Sequence, residues 1–139
     1  PTYTAPGEAR VGHVHLQVTD LDRALAFYQG LLGFKLNQRF GEQAAFLGAG
    51  GYHHHIGLNT WNSLDGPPAR TRGAGLYHTA FLYPTRADLA RVVGRLIDAS
   101  YPITGSAWSC IGTGPAPSGP ATSWAAFRCT PGPSTYADS

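Results

Sequence analysis

The hydrophobic period of this chain changes abruptly, and then the same change occurs a second time. From Val11 to Val18 the period is two: Val14, Leu16 and Val18 fall on one face, and His13, His15 and Gln17 on the other. From Asp20 to Gly33 it becomes helical, with Leu21, Leu25, Tyr28 and Leu32 at spacings of three and four. Thr19 with Asp22 reads as the capping box of that helix, and Gly33 as its stop. Strands are expected next over Phe34 to Phe40, Gln43 to Gly48 and Tyr52 to Trp61, with Gly41, Gly50 and Gly51 turning the chain between them.

After a polar connector at 62–73, which carries Gly66, Pro67 and Pro68, the order restarts. Leu76 to Tyr83 reads as a strand, and Thr85 to Ser100 as a helix with Leu89, Val93 and Leu96 on its stripe. Thr85 and Asp88 repeat the capping signature, and His78 repeats the place of His13 early in its strand. A duplication follows. One domain over 1–139 is expected, of α+β class, made of two βαβββ modules that form a cupped mixed sheet with helices outside. Module one spans about 10–61 and module two about 74–139. The second is atypical from about 105: between Ile103 and Ser139 the only charged residues are Arg128 and Asp138, and Gly, Pro, Ser, Thr and Ala dominate. Weak strands at Ile103 to Ile111 and Ala121 to Thr130, or a disordered tail, both fit that composition.

Bulk composition narrows the function. With 42% hydrophobic and 13% charged residues the chain is globular, and its formal net charge of +2 comes from scattered basic residues. No nucleic-acid partner is expected. No apolar run approaches the roughly 18 residues of a membrane span, and the first ten residues hold no signal-peptide core, so a cytoplasmic protein is expected. The two cysteines, Cys110 and Cys129, indicate neither a disulfide framework nor a local redox motif. Neither a Gly-x-Ser-x-Gly elbow nor a glycine-rich phosphate loop opening a helix is present.

Histidine is where chemistry concentrates. All six lie in three expected strands: His13 and His15, His53 to His55, and His78. Alternation around Ile56 and Leu58 puts His53, His55, Gly57 and Asn59 on one face. His54 is then expected to point away, so that at most two of the three can serve one site. A pseudo-twofold axis between the modules would bring His13 and His78 together, with His53 or His55 as a third donor. Two imidazoles plus an oxygen ligand suit a catalytic divalent ion. A single strand histidine is more often packed or solvated than ligating; the symmetric pair is what favours ligation. Tyr52, Trp61 and Tyr77 either line a pocket for a planar ligand or pack as ordinary strand residues.

Gly12-His13-Val14-His15-Leu16-Gln17-Val18-Thr19-Asp20-Leu21, with Ala26-Phe27-Tyr28 and Leu32-Gly33-Phe34, resembles the opening module of the vicinal oxygen chelate superfamily, which holds glyoxalases, bleomycin-resistance proteins and extradiol dioxygenases. The run Gly50-Gly51-Tyr52-His53-His54-His55-Ile56-Gly57-Leu58-Asn59-Thr60-Trp61 and Gly75-Leu76-Tyr77-His78 resemble its catechol 2,3-dioxygenase branch. This resemblance implies a metal cup with His13 and His78 as ligands and iron(II) as the expected metal, manganese, nickel or zinc being alternatives. A catechol-type small aromatic molecule would chelate the ion, His15 or His55 would move protons, and His53, Asn59, Trp61 and Tyr77 would line the pocket. It also implies a homodimer.

Two departures stand against that pattern. Gly57 occupies the place where glyoxalase-type relatives carry a carboxylate ligand, and the chain has no glutamate after Glu42, where the superfamily closes its second module on one. Divergence of the tail, a shifted reading frame, or completion by another chain would each account for the loss. A metal-dependent ring-cleaving dioxygenase is the leading expectation. A non-catalytic binder of the bleomycin-resistance type and a glyoxalase-like lyase are the alternatives.

Overall fold

The computed structural model describes residues 2–67, 76, 79–101, 103, 107–108 and 123–127. The chain divides into two compact units, residues 1–30 with 34–66 and residues 31–33 with 67–139.

In the first unit β1 (Val14–Gln17) leads into α1 (Leu21–Leu25), which widens into a π-helical stretch over Ala26–Leu31. Then β2 (Lys35–Phe40), β3 (Ala44–Gly48) and β4 (Ile56–Asn59) follow. The sheet order is β1-β4-β3-β2, with β1 parallel to β4 and the other pairs antiparallel. This is the expected βαβββ module. Its helix is capped by Asp20, whose carboxylate accepts the Arg23 N–H at 2.8 Å, not by Thr19. The Thr19 hydroxyl accepts instead from the Arg23 guanidinium at 2.9 Å. The two neighbours compete for the first turn, and the carboxylate, the stronger acceptor at a helix N-terminus, takes the backbone donor. Gly33, left-handed at φ 82°, ends the helix, and the Phe34 N–H closes on the Tyr28 carbonyl at 3.0 Å.

Leu21, Leu25, Tyr28 and Leu32, the stripe read from the sequence, are all buried. So are Ala45, Leu47, Ile56 and Leu58 on β3 and β4. Burial of each large side chain contributes about 1.5–3 kcal/mol. The opposite sheet face is thereby left for polar and aromatic side chains.

In the second unit β5 (Thr79–Tyr83) precedes α2 (Arg86–Asp98). β6 (Ala107–Trp108) and β7 (Ser123–Phe127) form an antiparallel sheet with β5 in the order β5-β7-β6. The Thr85 cap is as expected: its hydroxyl accepts the Asp88 N–H at 3.1 Å and donates to the Asp88 carboxylate at 2.6 Å. Val92, not Val93, joins Leu89 and Leu96 on the buried stripe. β6 lies within the strand expected at Ile103 to Ile111, and β7 within that expected at Ala121 to Thr130. No helix among the described residues is long and apolar enough to cross a membrane.

Candidate metal and aromatic site

The site is built on the face of the first sheet that the helix leaves open. His13 stands just before β1 and His15 within it, both on that face and both exposed. The register Val14↔Ile56 and His15↔Gly57 sets β4 alongside, and Phe46↔Gly57 continues the row onto β3.

The histidine run does not follow the strand alternation read from the sequence. β4 begins only at Ile56, so His53, His54 and His55 lie in an irregular segment before the strand, with bends at His53 and His55. Gly50 and Gly51 are both left-handed, at φ 60° and 79°, and throw the chain out of the hairpin; the His55 N–H then rejoins the ladder at the Leu47 carbonyl, 2.8 Å away. As a result His54 does not point away. Its ring lies 4.6 Å from His13 and 4.4 Å from His53, centroid to centroid. One ring nitrogen from each of His13, His53 and His54 can be chosen so that all three lie within 4.8 Å of one another.

His55 is placed elsewhere. Its Nδ1 accepts the Ala49 N–H at 3.3 Å, and its ring packs on Tyr52 at 4.6 Å and Phe34 at 6.3 Å. It serves the turn and does not join the three-imidazole group. The His15 ring covers Gly57: a Cβ there would lie 3.1 Å from its Cγ and Nδ1. Phe46 flanks His15 at 6.1 Å, and Trp61, half exposed, at 5.7 Å. Phe46 also lies 5.1 Å from His54, which makes one aromatic row from the imidazole group to Trp61. The Asn59 side chain is buried, and its Oδ1 accepts the Trp61 N–H at 3.2 Å, setting the turn that presents the indole. Tyr77 and His78 lie outside the described residues, so the expected pairing of His13 with His78 is not seen here.

Two contributors escaped sequence reasoning. Phe46 was legible, since in Ala45-Phe46-Leu47 it alternates with two core residues. His54 was not, because nothing in the sequence marks the strand's late start.

The three imidazoles fit a divalent ion. Three nitrogens placed tetrahedrally about one ion at about 2.1 Å lie about 3.4 Å apart. Loading would therefore draw the group together by up to about 1.4 Å. Imidazole donors suit zinc, copper, iron and nickel better than magnesium, calcium or manganese. Ligation needs neutral rings, and the pKa of His54 is pushed below the ordinary 6.5 by burial, then by repulsion from His53, His13, His15 and His55.

Comparison with known proteins agrees with this architecture. The family model for the Glyoxalase/Bleomycin resistance protein/Dioxygenase superfamily matches residues 10–112. A curated relative, the catechol-2,3-dioxygenase of Bacillus subtilis (strain 168), is 42% identical over 99 residues, covering 70% of this chain and 35% of that protein. The chain thus spans about a third of that relative's length. In fold it is similar to the crystal structure of lactoylglutathione lyase from Agrobacterium tumefaciens, with a TM-score of 0.55 and 19% identity over 76% of this chain and 81% of that one. A βαβββ module, a histidine just before its first strand and a family match over most of the chain lead to one conclusion: the protein belongs to the glyoxalase/bleomycin resistance protein/dioxygenase superfamily.

Proposed function

We propose that this chain binds a divalent metal through His13 and acts on a catechol-type aromatic, as a ring-cleaving dioxygenase-like enzyme. The observation that carries the reading is the His13–His53–His54 group set at the end of an aromatic row. The name of the 42% identical relative supports the same class of reaction.

His13 would hold the ion with His53 and His54, and His78 is the proposed ligand from the second module. A bound ion would supply Lewis acidity and a template for two neighbouring oxygens; iron(II) is the metal we favour. The lowered pKa of His54 favours its neutral form, the one that can ligate. Phe46, His15 and Trp61 offer flat surfaces against which an aromatic ring can stack, each such contact contributing about 0.5–1.5 kcal/mol beyond area burial. The exposed His15 ring is the proposed carrier of a proton to or from the bound hydroxyls. The proposed partners are that small aromatic molecule and a second copy of the chain.

A second reading, a non-catalytic binder, draws on the make-up of the donor group, which holds no carboxylate among the described residues. The test is iron(II) binding to anaerobically purified protein, followed by oxygen uptake with a panel of catechols, wild type beside a His13→Ala, His78→Ala variant. Binding and turnover that vanish in the variant support the enzyme. Metal-independent binding of catechols without turnover supports the binder, and no metal binding by wild type removes the enzyme reading.

A further inference from the structure

The irregular segment that carries His53 and His54 sits between two glycines and a strand, and its two ends are held differently. Its far end is anchored by the ladder, where the His55 N–H meets the Leu47 carbonyl at 2.8 Å and the His55 carbonyl accepts from Val14 at 3.0 Å. Its near end begins at Gly50 and Gly51, the least constrained residues in the hairpin. At that near end stands a side chain from another strand. The pairing of β2 with β3 slips between Leu36 and Gln38, so Asn37 has no partner in the ladder. Its Nδ2 donates to the carbonyl of Tyr52 at 3.0 Å and to that of His53 at 2.9 Å.

Those two carbonyls belong to the two peptide groups that flank the His53 Cα. Fixing both fixes the φ and ψ of His53, and with them the directions in which His53 and His54 leave the backbone. Both targets are acceptors, so only the amide nitrogen can face them, which settles the orientation of the Asn37 side chain. Space for this contact is made at Gly48. A Cβ there would lie 2.5 Å from the Tyr52 carbonyl oxygen and 2.6 Å from Asn37 Nδ2, closer than real contacts allow.

We infer that Asn37, lodged at a bulge and admitted by the bare face of Gly48, is a positioning residue that orients His53 and His54 towards His13. This rests on the metal-binding reading proposed above. Asn37 touches no imidazole of the group by hydrogen bond; it acts through the backbone. Residues that orient metal ligands from behind typically govern affinity by about 10–100-fold, and the predicted loss falls in that range.

The experiment is cobalt(II) titration of the full chain, read by visible absorption, together with ring-proton NMR of His53 and His54 in metal-free protein. Asn37→Ala should weaken cobalt(II) binding at least about tenfold and change the visible bands while the far-UV circular dichroism stays that of wild type. In metal-free protein the ring protons of His53 and His54 should move towards unstructured values. Gly48→Ala, which pushes on the same contact from the other side, should reproduce both effects. Should Asn37→Ala fail to fold, Asn37→Ser keeps one donor and should give an intermediate affinity. Unchanged affinity and unchanged ring shifts in folded Asn37→Ala overturn the inference. If wild type takes up no cobalt(II) yet Asn37→Ala still moves the ring shifts, the positioning role stands and the metal-binding reading falls.

Discussion

Replacing Gly57 by alanine should expose a direct competition for space with His15. A Cβ at position 57 would lie 3.1 Å from Cγ and Nδ1 of the His15 ring and 3.3 Å from its Cδ2. Three ring atoms at nearly one distance mean that the imidazole lies face-on over the glycine. Carbon atoms pack best at about 3.5–4.0 Å, so the ring must retreat by roughly half an ångström. The backbone cannot supply that movement, because β4 is paired on both sides, with β1 and β3. Overpacking of this kind costs about 1–3 kcal/mol, and the exposed His15 ring can swing outwards, which favours the lower end. Opposing it, alanine in a strand interior is favoured over glycine by roughly 0.5–1 kcal/mol. Gly57→Ala alone should therefore come out near neutral or mildly destabilising. In a His15→Ala background the clash is gone and the same substitution should stabilise. The coupling expected from a double-mutant cycle is about 1–2 kcal/mol. Urea unfolding of the four proteins, followed by circular dichroism, measures it. Additivity within about 0.5 kcal/mol would refute the packing of His15 on Gly57.

Three further outcomes follow from the same structure. His54 should titrate below 6.5, visible as the midpoint of its ring-proton shift, because burial and the neighbouring histidines disfavour its charged form. The unfolded chain then takes up this proton first as pH falls, so the stability contributed by neutral His54 is full above 6.5 and is lost as pH drops through the folded-state value. A His54→Gln variant should lose that part of the acid sensitivity in thermal melts. Leu58→Ala, at a fully buried position of β4, should cost about 2–5 kcal/mol in denaturant unfolding. Thr85→Ala should cost about 0.5–2 kcal/mol by removing the cap of α2, and Thr85→Ser, which keeps the hydroxyl, should restore most of it.

Much of what could be read from the sequence rests on the spacing of buried residues. Leu21, Leu25, Tyr28 and Leu32 announce a helix face by their spacing, and all four are buried. The change of period around Thr19 places the strand–helix junction to within a residue. It erred by that residue because Thr19 and Asp20 are both capping types, and only geometry decides which meets the Arg23 N–H. The candidate site was legible in composition but not in arrangement. Alternation carried back from Ile56 put His53 with His55 and turned His54 away. That inference needed the strand to start at Tyr52, and the left-handed Gly50 and Gly51 end the regular backbone before it. The bulge at Asn37 left no trace either, since one unpaired residue in Lys35–Phe40 does not disturb a pattern that is mostly exposed already.

The deeper reason is that this site is shaped by side chains that are missing. Gly48 leaves room for the Tyr52 carbonyl and the Asn37 amide, and Gly57 leaves room for the His15 ring. A search for donors finds the histidines and passes over both glycines, since neither has a φ in the left-handed range that would mark it as a turn residue. Yet each decides where a neighbouring group can go. At position 57 this bears directly on the departure from the glyoxalase-type pattern. A carboxylate side chain there would have to enter the volume that the His15 ring fills, so an acid at 57 would require that ring to swing outwards. In this chain the imidazole fills that space, and the three-imidazole group lies at the end of the sheet, where Asn37 and the two left-handed glycines set His53 and His54 beside His13.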